Sequence, residues 1–470
     1  MITLSARTLA SRLTDWRSDA PAYRSLADRI RLLILDGVVV PGTRLPAERE
    51  LAAELGVSRT TIAAAYAALR DDGSIDSVRG SGSIARGAQR PLQLPDLGAG
   101  PLDLSKAVMP AYSGLAAAMR RTTELVPAML GDFGFDPLGR DELRDALAAR
   151  YTARGLATTP DQIMVTVGAQ HAITLIARTV LRRGDRVLIE NPTYPHAMDS
   201  IVAAGGRLVP VPVDAAHGWD APALEQIIER GSPALAYLMP DNHNPTGATM
   251  PTALLARTLE LAAAQGTVVV LDETMGELTI DGPTRLPAGA YGPAVMVGSV
   301  GKSLWGGLRV GWVRADAAFI RTLTRARFAS DLGTPAFEQL VVAELLPDFD
   351  AVLAERIDWL RAGRDRLLRE LASRFPEWRV PEPAGGLTAW VGLGRPASSQ
   401  LALAARGAGL VIAPGPRFAA DGAFERFLRI PYSLPEETMS LALDVLERAW
   451  AGIAGAAPAA RVDEEFAEVV

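Results

Sequence analysis

The chain of 470 residues has no cysteine and only four histidines. The lack of cysteine excludes disulfide bonds, thiolate zinc sites and a cysteine nucleophile. Because the few histidines are scattered, we expect no metal site either. No apolar run approaches the roughly 18 residues that a membrane-spanning helix needs, and charged residues interrupt the start of the chain, so neither a membrane segment nor a secretory signal is predicted. These absences predict a cytoplasmic protein that does not enter a membrane.

Lysine is also almost absent, since the 48 basic side chains include only Lys106 and Lys302. Arginine serves wherever positive charge alone is needed, so a lysine that remains points to chemistry that a guanidinium cannot perform. A primary amine can lose its proton and condense with an aldehyde to form a Schiff base, whereas arginine stays protonated. The alternative is a codon bias that spared two surface lysines. The count alone does not decide between these interpretations, and the neighbouring residues must.

Three helical patterns occupy the first 70 residues. The first begins at Pro21 and ends at Gly37, the second covers Glu48–Leu55, and the third begins after Ser58. A short turn that contains glycine joins the last two, as in a helix-turn-helix pair. Residues 73–84 then alternate like two small strands around a glycine turn. This order predicts a helix-turn-helix followed by a wing.

Beyond residue 101, helices alternate with short β-branched runs, which predicts an α/β domain with a mostly parallel sheet. The predicted strands are 163–167, 186–189, 234–239, 267–271 and 294–297. A charged helix from about residue 351 and smaller elements after it indicate a second lobe.

These patterns place four segments along the chain. The helix-turn-helix domain, called the reader below, covers 1–86; a linker covers 87–101; the α/β body covers 102–455; and a tail covers 456–470. The smaller lobe of the body is assigned to about 102–132 and 346–455.

The first 90 residues hold 13 arginines against 10 acidic residues, in a chain whose net charge is −6. This excess permits nucleic-acid binding without arguing strongly for it. In a helix-turn-helix, the start of the second helix enters the major groove, and nearby arginines contact phosphates. The candidate DNA-binding residues are Arg44, Arg49, Ser58, Arg59, Thr60 and Thr61, with Arg79, Gly80, Ser81 and Gly82 in the wing. Ser58 has the alternative role of a helix cap, and Arg49 that of a partner of Glu48 or Asp72.

Residues 41–52 (PGTRLPAERELA) and 55–61 (LGVSRTT) resemble the GntR family of winged helix-turn-helix regulators. The resemblance covers about 21–86, and therefore includes both helices and the wing. It implies that the partner of the reader is a double-stranded DNA operator.

The body offers a residue for each part of a pyridoxal phosphate (PLP) site. Lys302 supplies the amine, and Asp272 follows a predicted strand, where a buried carboxylate can keep the pyridine nitrogen protonated. Asn244 can donate its amide to the ring oxygen, and Tyr194 can stack on the ring. Asp272 as a helix cap and Asn244-Pro245 as a simple turn are the ordinary alternatives.

The phosphate of such a cofactor needs an anion cradle. Gly168, Ala169 and Gln170 follow a strand and open a helix, so backbone amides and the helix dipole face an anion there. Ser299 and Arg309, on either side of the lysine, add a hydroxyl and a fork of donors. A further arginine, Arg429, pairs with a substrate carboxylate or is a surface charge.

Because six such elements occur in this order, residues 102 to about 455 resemble a fold-type I, class I aminotransferase. A GntR reader joined to such a body is the pattern of the MocR subfamily, which are PLP-responsive transcription regulators. The resemblance implies the fold of PLP-dependent transferases, PLP bound to Lys302, and PLP or a small amino compound as effector. It also implies a head-to-tail homodimer in which each reader lies near the partner subunit's body.

Several residues depart from the family pattern. Thr274 and Met275 stand where a tyrosine usually contacts the ring oxygen, and Phe135 stands where a tyrosine often reaches the partner's phosphate. Because each lost hydrogen bond to a charged group is worth about 1–3 kcal/mol, we expect weaker cofactor binding, but not its loss. His196 stands where the GABA-responsive member has arginine, so that effector is not expected.

Two other functions stay open. The chain could be a working aminotransferase that carries a DNA-binding module, since it keeps the residues for turnover. It could also be a dimerisation scaffold that binds no cofactor.

Overall fold

The computed structural model describes residues 3–13, 16–18, 20–78, 82–86, 102–131, 133–283 and 285–454. The predicted linker (87–101) and tail (456–470) lie outside these residues. Within the described part of the chain, no helix is long and apolar enough to cross a membrane.

The reader is a small helical domain with a two-stranded wing. Its elements are α1 (Ala6–Ser11), α2 (Ala22–Leu35), α3 (Glu48–Leu55), α4 (Arg59–Asp71), β1 (Ile75–Val78) and β2 (Gly82–Ala85). Gly56 ends α3 in the left-handed conformation, at φ 62°, which glycine adopts without strain. Ser58 caps α4 by accepting a hydrogen bond from the Thr61 amide at 3.1 Å. These two signals fix the turn between the helices.

The helix α1 was not predicted. Its six residues are too few to show a helical period, and Leu9 is the one that it buries in the core of the reader. The helix packs against α3, so tertiary contact rather than local pattern holds it.

The body contains the remaining strands and helices. Its strands are β3 (Leu102–Asp103), β4 (Ile163–Thr166), β5 (Arg186–Asn191), β6 (Arg207–Asp214), β7 (Gly218–Trp219), β8 (Leu235–Leu238), β9 (Val268–Asp272), β10 (Val295–Ser299), β11 (Gly311–Arg314), β12 (Thr388–Gly392), β13 (Leu410–Val411), β14 (Ala413–Pro414) and β15 (Phe427–Pro431). Its helices are α5 (Leu115–Thr123), α6 (Val126–Met129), α7 (Asp141–Ala153), α8 (Gly168–Val180), α9 (Pro195–Ala203), α10 (Ala221–Gly231), α11 (Thr252–Gln265), α12 (Ala317–Arg327), α13 (Ala336–Leu345), α14 (Phe349–Arg374), α15 (Ser398–Gly407) and α16 (Glu436–Ala454).

The large sheet has the strand order β4-β11-β10-β9-β8-β5-β6-β7. The pairs from β10 to β6 are parallel, while β11 is antiparallel to both of its neighbours, and β7 is antiparallel to β6. The mostly parallel α/β sheet predicted from the sequence is therefore confirmed. The predicted strands match β4, β5, β8, β9 and β10.

Three strands of this sheet were not predicted: β6, β11 and β7, which has only two residues. The strand β6 carries Pro210 and Pro212, which ordinarily argue against a strand, but it lies next to the edge of the sheet, where prolines are tolerated. The strand β11 is only four residues long and begins with Gly311, so its pattern is weak. Position 311 requires glycine, because a Cβ there would lie 2.6 Å from the backbone of Gly168.

The smaller lobe is built on the sheet β12-β15-β14, with α15 and α16 packed together. The strand β3 pairs with β13, so the chain joins this lobe directly after residue 101.

In the described chain, α2 of the reader packs against α15 of the smaller lobe. Arg29 is buried in this contact, where it lies 3.4 Å from the carboxylate of Glu425 and donates to the carbonyl of Gly422 at 3.2 Å.

Candidate cofactor site and DNA-binding surface

A cavity of about 630 Å³ opens beside the carboxyl ends of the parallel strands, between the large sheet and the smaller lobe. Ligands of open α/β sheets bind at this edge, because the loops that follow the strands converge there. Nine of the predicted cofactor and substrate residues line the cavity: Ala169, Gln170, Tyr194, Asn244, Asp272, Ser299, Lys302, Arg309 and Arg429.

Lys302 is partly enclosed in this cavity, and its Nζ donates to the carbonyl of Ala107 at 2.6 Å. Burial, with a smaller contribution from the nearby charge of Arg429, lowers the pKa of Lys302 to about 8, although Asp272 opposes the shift. More of this amine is therefore neutral, and able to attack a carbonyl, than an exposed lysine would be at the same pH. Lys106, by contrast, is an exposed side chain paired with Asp103 at 3.1 Å.

Asp272 is the last residue of β9 and is buried. Tyr237 of β8 donates its hydroxyl to Oδ2 of Asp272 at 2.6 Å, and the Thr274 amide donates to Oδ1 at 2.9 Å. Burial raises the pKa of Tyr237 well above its usual value, so this hydroxyl stays a donor. Tyr237 is not among the site residues predicted from the sequence. The available signal was a tyrosine within a buried apolar strand, where its hydroxyl needs a partner.

The expected anion cradle lies at the start of α8. Gly168 has φ 78°, and a Cβ there would stand 2.6 Å from Nη2 of Arg309. Arg309 is in the left-handed conformation, at φ 54°, and donates to the carbonyl of Val167 at 3.0 Å. This strained backbone keeps the guanidinium against the first turn of α8, where the free amides of the helix also point.

Ser299 lines the cavity and also makes hydrogen bonds within its own loop. Its hydroxyl donates to the carbonyl of Val310 at 3.0 Å and accepts from the Gly301 amide at 3.1 Å. These two hydrogen bonds stabilise the loop that carries Lys302. The Gln170 side chain is also engaged, since it donates to Ser200 at 2.8 Å.

Arg429 lies on β15 and is buried, which excludes the interpretation as a surface charge. It donates to Oδ1 of Asn244 at 3.3 Å and to the carbonyl of Ser105, and its guanidinium lies 4.8 Å from the ring centre of Phe418. Burial lowers the pKa of Arg429 to about 10, and Tyr194 opposes the shift. Among the described residues, its Nε has no hydrogen-bond partner.

Tyr194 is the residue before α9, and its ring meets that of His196 edge to face at 5.4 Å. Burial raises the pKa of Tyr194 to about 12, and the Asp272 carboxylate contributes to this rise. The side chains of Tyr194 and Asp272 thus face the same part of the cavity.

These residues fit the cofactor that the sequence predicted. Pyridoxal phosphate needs an amine, a carboxylate and an anion cradle, and Lys302, Asp272 and the first turn of α8 lie on one cavity. The buried Arg429 Nε and Thr274 Oγ1 have no partner among the described residues. Buried polar atoms are almost always satisfied, so these two indicate a polar ligand.

The predicted DNA-binding residues lie around the start of α4. Ser58, Arg59 and Thr60 are exposed, and Arg59 lies 3.6 Å from Glu48 with 74% of its side chain accessible. The Ser58 hydroxyl caps α4, so its alternative role is present. Three wing residues, Arg79, Gly80 and Ser81, lie outside the described part of the chain.

The two arginines before and within α3, Arg44 and Arg49, are also exposed. Arg44 borders the wing, where its Nε would lie 3.6 Å from a Cβ at Gly82. Arg44, Arg49 and Arg59 are thus exposed beside the wing, on α3 and at the start of α4.

The chain matches two family models: "Aminotransferase class I and II" over residues 117–446 and "Bacterial regulatory proteins, gntR family" over residues 22–84. It is 28% identical to the uncharacterized HTH-type transcriptional regulator YdcR of Escherichia coli, over 87% of this chain and 94% of that protein. It is 28% identical to the probable rhizopine catabolism regulatory protein MocR of Rhizobium meliloti, over 64% of this chain and 66% of that protein.

A solved structure is similar to the body. The α-aminoadipate aminotransferase LysN from Thermus thermophilus, complexed with N-(5'-phosphopyridoxyl)-L-leucine, aligns with a TM-score of 0.69 and 28% identity. The alignment covers 75% of this chain and 93% of that one.

Proposed function

This chain belongs to the aminotransferase class I and II family and, through its GntR domain, to the MocR subfamily of transcription regulators, and from this premise we propose that an amino compound at the PLP site controls DNA binding. One observation carries the proposal. Asp36 of the reader lines the same cavity as Lys302, so a ligand there meets the DNA-binding domain directly. Two sites are allosterically coupled when a ligand interacts differently with the two states of a shared element.

Bound PLP supplies an aldehyde carbon that takes a primary amine and a ring that withdraws electrons. Lys302 would hold the cofactor through its amine, which the lowered pKa leaves partly neutral near pH 7. Asp272, fixed by Tyr237, keeps the ring nitrogen protonated. Arg429 receives the carboxylate of the incoming amino compound, and the first turn of α8 with Arg309 holds the phosphate.

The reader binds its operator through the start of α4. Arg59 and Thr60 reach base edges, and Arg44 and Arg49 contact phosphates on either side. The exposure of all four residues supports this assignment.

We infer that the functional form is a homodimer. The segment that follows α5 exposes four large apolar side chains, with Phe133 97% and Phe135 73% accessible, together with Leu125 and Leu130. Apolar groups clustered in this way usually mark an interaction surface. A head-to-tail pair would cover the segment and present two readers to two operator half-sites.

A working aminotransferase is the second candidate. The lowered pKa of Lys302 and the buried, partly unpaired Arg429 favour it, because turnover needs a mobile proton and a held carboxylate. Turnover with an amino donor and a keto acid, unchanged by deleting residues 1–86, would select this function.

The proposed regulatory function is tested by following cofactor binding and DNA binding in the same titration. The purified protein is titrated with PLP and then with a panel of amino acids, while absorbance and binding to the DNA upstream of its own gene are followed. We expect at least one amino compound to change both signals at the same concentration. DNA binding that is unaffected while the cofactor spectrum responds would contradict the proposal.

A further inference from the structure

The mouth of the PLP cavity carries an ion-pair cluster that joins the reader to the smaller lobe. Asp36, the residue after α2, lies 3.5 Å from Nη2 of Arg406 and 3.7 Å from Nη1 of Arg417. The two arginines belong to different elements of the lobe, since Arg406 lies in α15 and Arg417 follows β14. All three side chains line the cavity that contains Lys302.

The helix α2 meets the lobe at two points of different character. Arg29 and Asp36 are seven residues apart and therefore lie on one face of the helix. Arg29 is buried against Glu425, and breaking such a buried pair is costly. The carboxylate of Asp36 keeps 21% of its surface accessible, and exposed pairs contribute little. The Asp36 contact is thus the one that a ligand can replace.

The rim around Asp36 favours anions. Arg406 and Arg417 both lie beside Asp36, and Arg429 lines the same cavity. The charge of Arg417 also lowers the pKa of Arg429, so the two guanidinium groups lie within electrostatic reach of each other. A small ligand with two acidic groups can therefore meet Arg429 with one group and the rim with the other.

We propose that Arg406 and Arg417 form a subsite for the side-chain carboxylate of a dicarboxylic amino acid, which displaces Asp36 and frees the end of α2 from the smaller lobe. This proposal rests on the function proposed above and specifies the effector class and the contact it breaks. A cavity of about 630 Å³ is large enough for the cofactor and such an amino acid together.

The competition has a reciprocal consequence. If the effector weakens the Asp36 contact, then Asp36 weakens effector binding by the same factor. Since partly exposed pairs are worth little, we expect removal of the Asp36 charge to strengthen dicarboxylate binding by about 3- to 10-fold.

The first experiment measures binding to the full-length, PLP-loaded protein by the change in cofactor absorbance. The probes are L-aspartate and L-glutamate, each against its amide, which has nearly the same shape without the second charge. We expect one of the acids to bind about 10-fold tighter than its amide. Arg417→Gln should remove this preference, and Asp36→Asn should strengthen binding of the acid but not of the amide.

The matched controls are Arg426→Gln, in the same lobe but outside the cavity, and Asp71→Asn, at the end of α4. Neither should change the ratio of acid to amide affinity. Equal affinity for acid and amide, or a preference that survives Arg417→Gln, would overturn the subsite.

The second experiment follows the reader itself. Because the chain has no cysteine, Ala53→Cys in α3 and Ala362→Cys in α14 provide two labelling sites on exposed positions. We expect the preferred acid, but not its amide, to lengthen or broaden the distance distribution between two spin labels. An unchanged distribution with the acid bound would exclude displacement of the reader.

The two proposals fail in different ways. A protein that takes up no PLP contradicts both. A protein that binds PLP and responds to amino acids, but does not distinguish acids from amides, keeps the proposed function and loses only this inference.

Discussion

The hydroxyl of Tyr237 donates a hydrogen bond of 2.6 Å to Oδ2 of Asp272. The two residues lie on adjacent parallel strands, β8 and β9, and both are buried. A carboxylate that must hold a ring nitrogen works only in one orientation, and a second hydrogen bond fixes that orientation.

Replacing this tyrosine should weaken cofactor binding. Tyr237→Phe removes the donor and leaves a buried carboxylate oxygen unpaired, which costs about 1–3 kcal/mol. We expect the affinity for PLP, measured by absorbance titration, to fall about 10-fold. Tyr66→Phe is the matched control, because Tyr66 is a buried donor to Pro46 in the reader. PLP affinity that is the same in both variants would remove Tyr237 from the site.

Arg429→Gln should separate effector binding from cofactor binding. The variant loses the buried cation that we assign to the effector carboxylate, so amino acid binding should weaken by about 2–3 kcal/mol. PLP uptake alone should change little. Both are measured by spectral titration, with Arg426→Gln as the control. Unimpaired amino acid binding would show that the carboxylate binds elsewhere.

Attachment of PLP should depend on pH through Lys302. Burial and Arg429 lower its pKa to about 8, so the neutral, nucleophilic fraction rises as pH increases and levels off above that value. We expect the initial rate of attachment to apo protein to rise about 10-fold from pH 6 to pH 7 and to flatten above about pH 8. In Arg429→Gln the midpoint should move to higher pH, because a cation that disfavours protonation is gone. A rate that still climbs toward pH 10 in the unchanged protein would contradict the lowered pKa.

Arg59→Ala should weaken operator binding and leave the cofactor spectrum unchanged. The pair of Arg59 with Glu48 is exposed and contributes little to stability, so the fold should persist. A phosphate contact would reduce the salt dependence of binding by about one counterion, whereas a base contact would relax the sequence preference. Arg183→Ala, on the body, is the control. An unchanged footprint would exclude α4 as the recognition helix.

Local signals were enough to predict the reader and the position of most site residues. Gly56 and Ser58 mark the turn between α3 and α4, and a parallel sheet brings the residues that follow its strands to one edge. Lys302, Asp272 and Asn244 could therefore be placed together from the sequence alone.

Contacts between distant segments were not predictable in this way. The position of Asp36 beside Arg417 depends on how the reader packs against the smaller lobe, which no local pattern encodes. Tyr237 looked like an ordinary core residue of β8, since only its neighbour across the sheet reveals its partner. The contact of the Ser299 hydroxyl with the Val310 carbonyl likewise depends on how the chain returns to β11.

The two lysines of the chain allow a direct test of the central claim, that Lys302 carries the cofactor. After incubation with PLP, Lys106→Ala should keep the visible absorbance band of the lysine-bound cofactor. Lys302→Ala should lose this band while circular dichroism and oligomeric state remain those of the unchanged protein. A band that survives in folded Lys302→Ala would contradict the account.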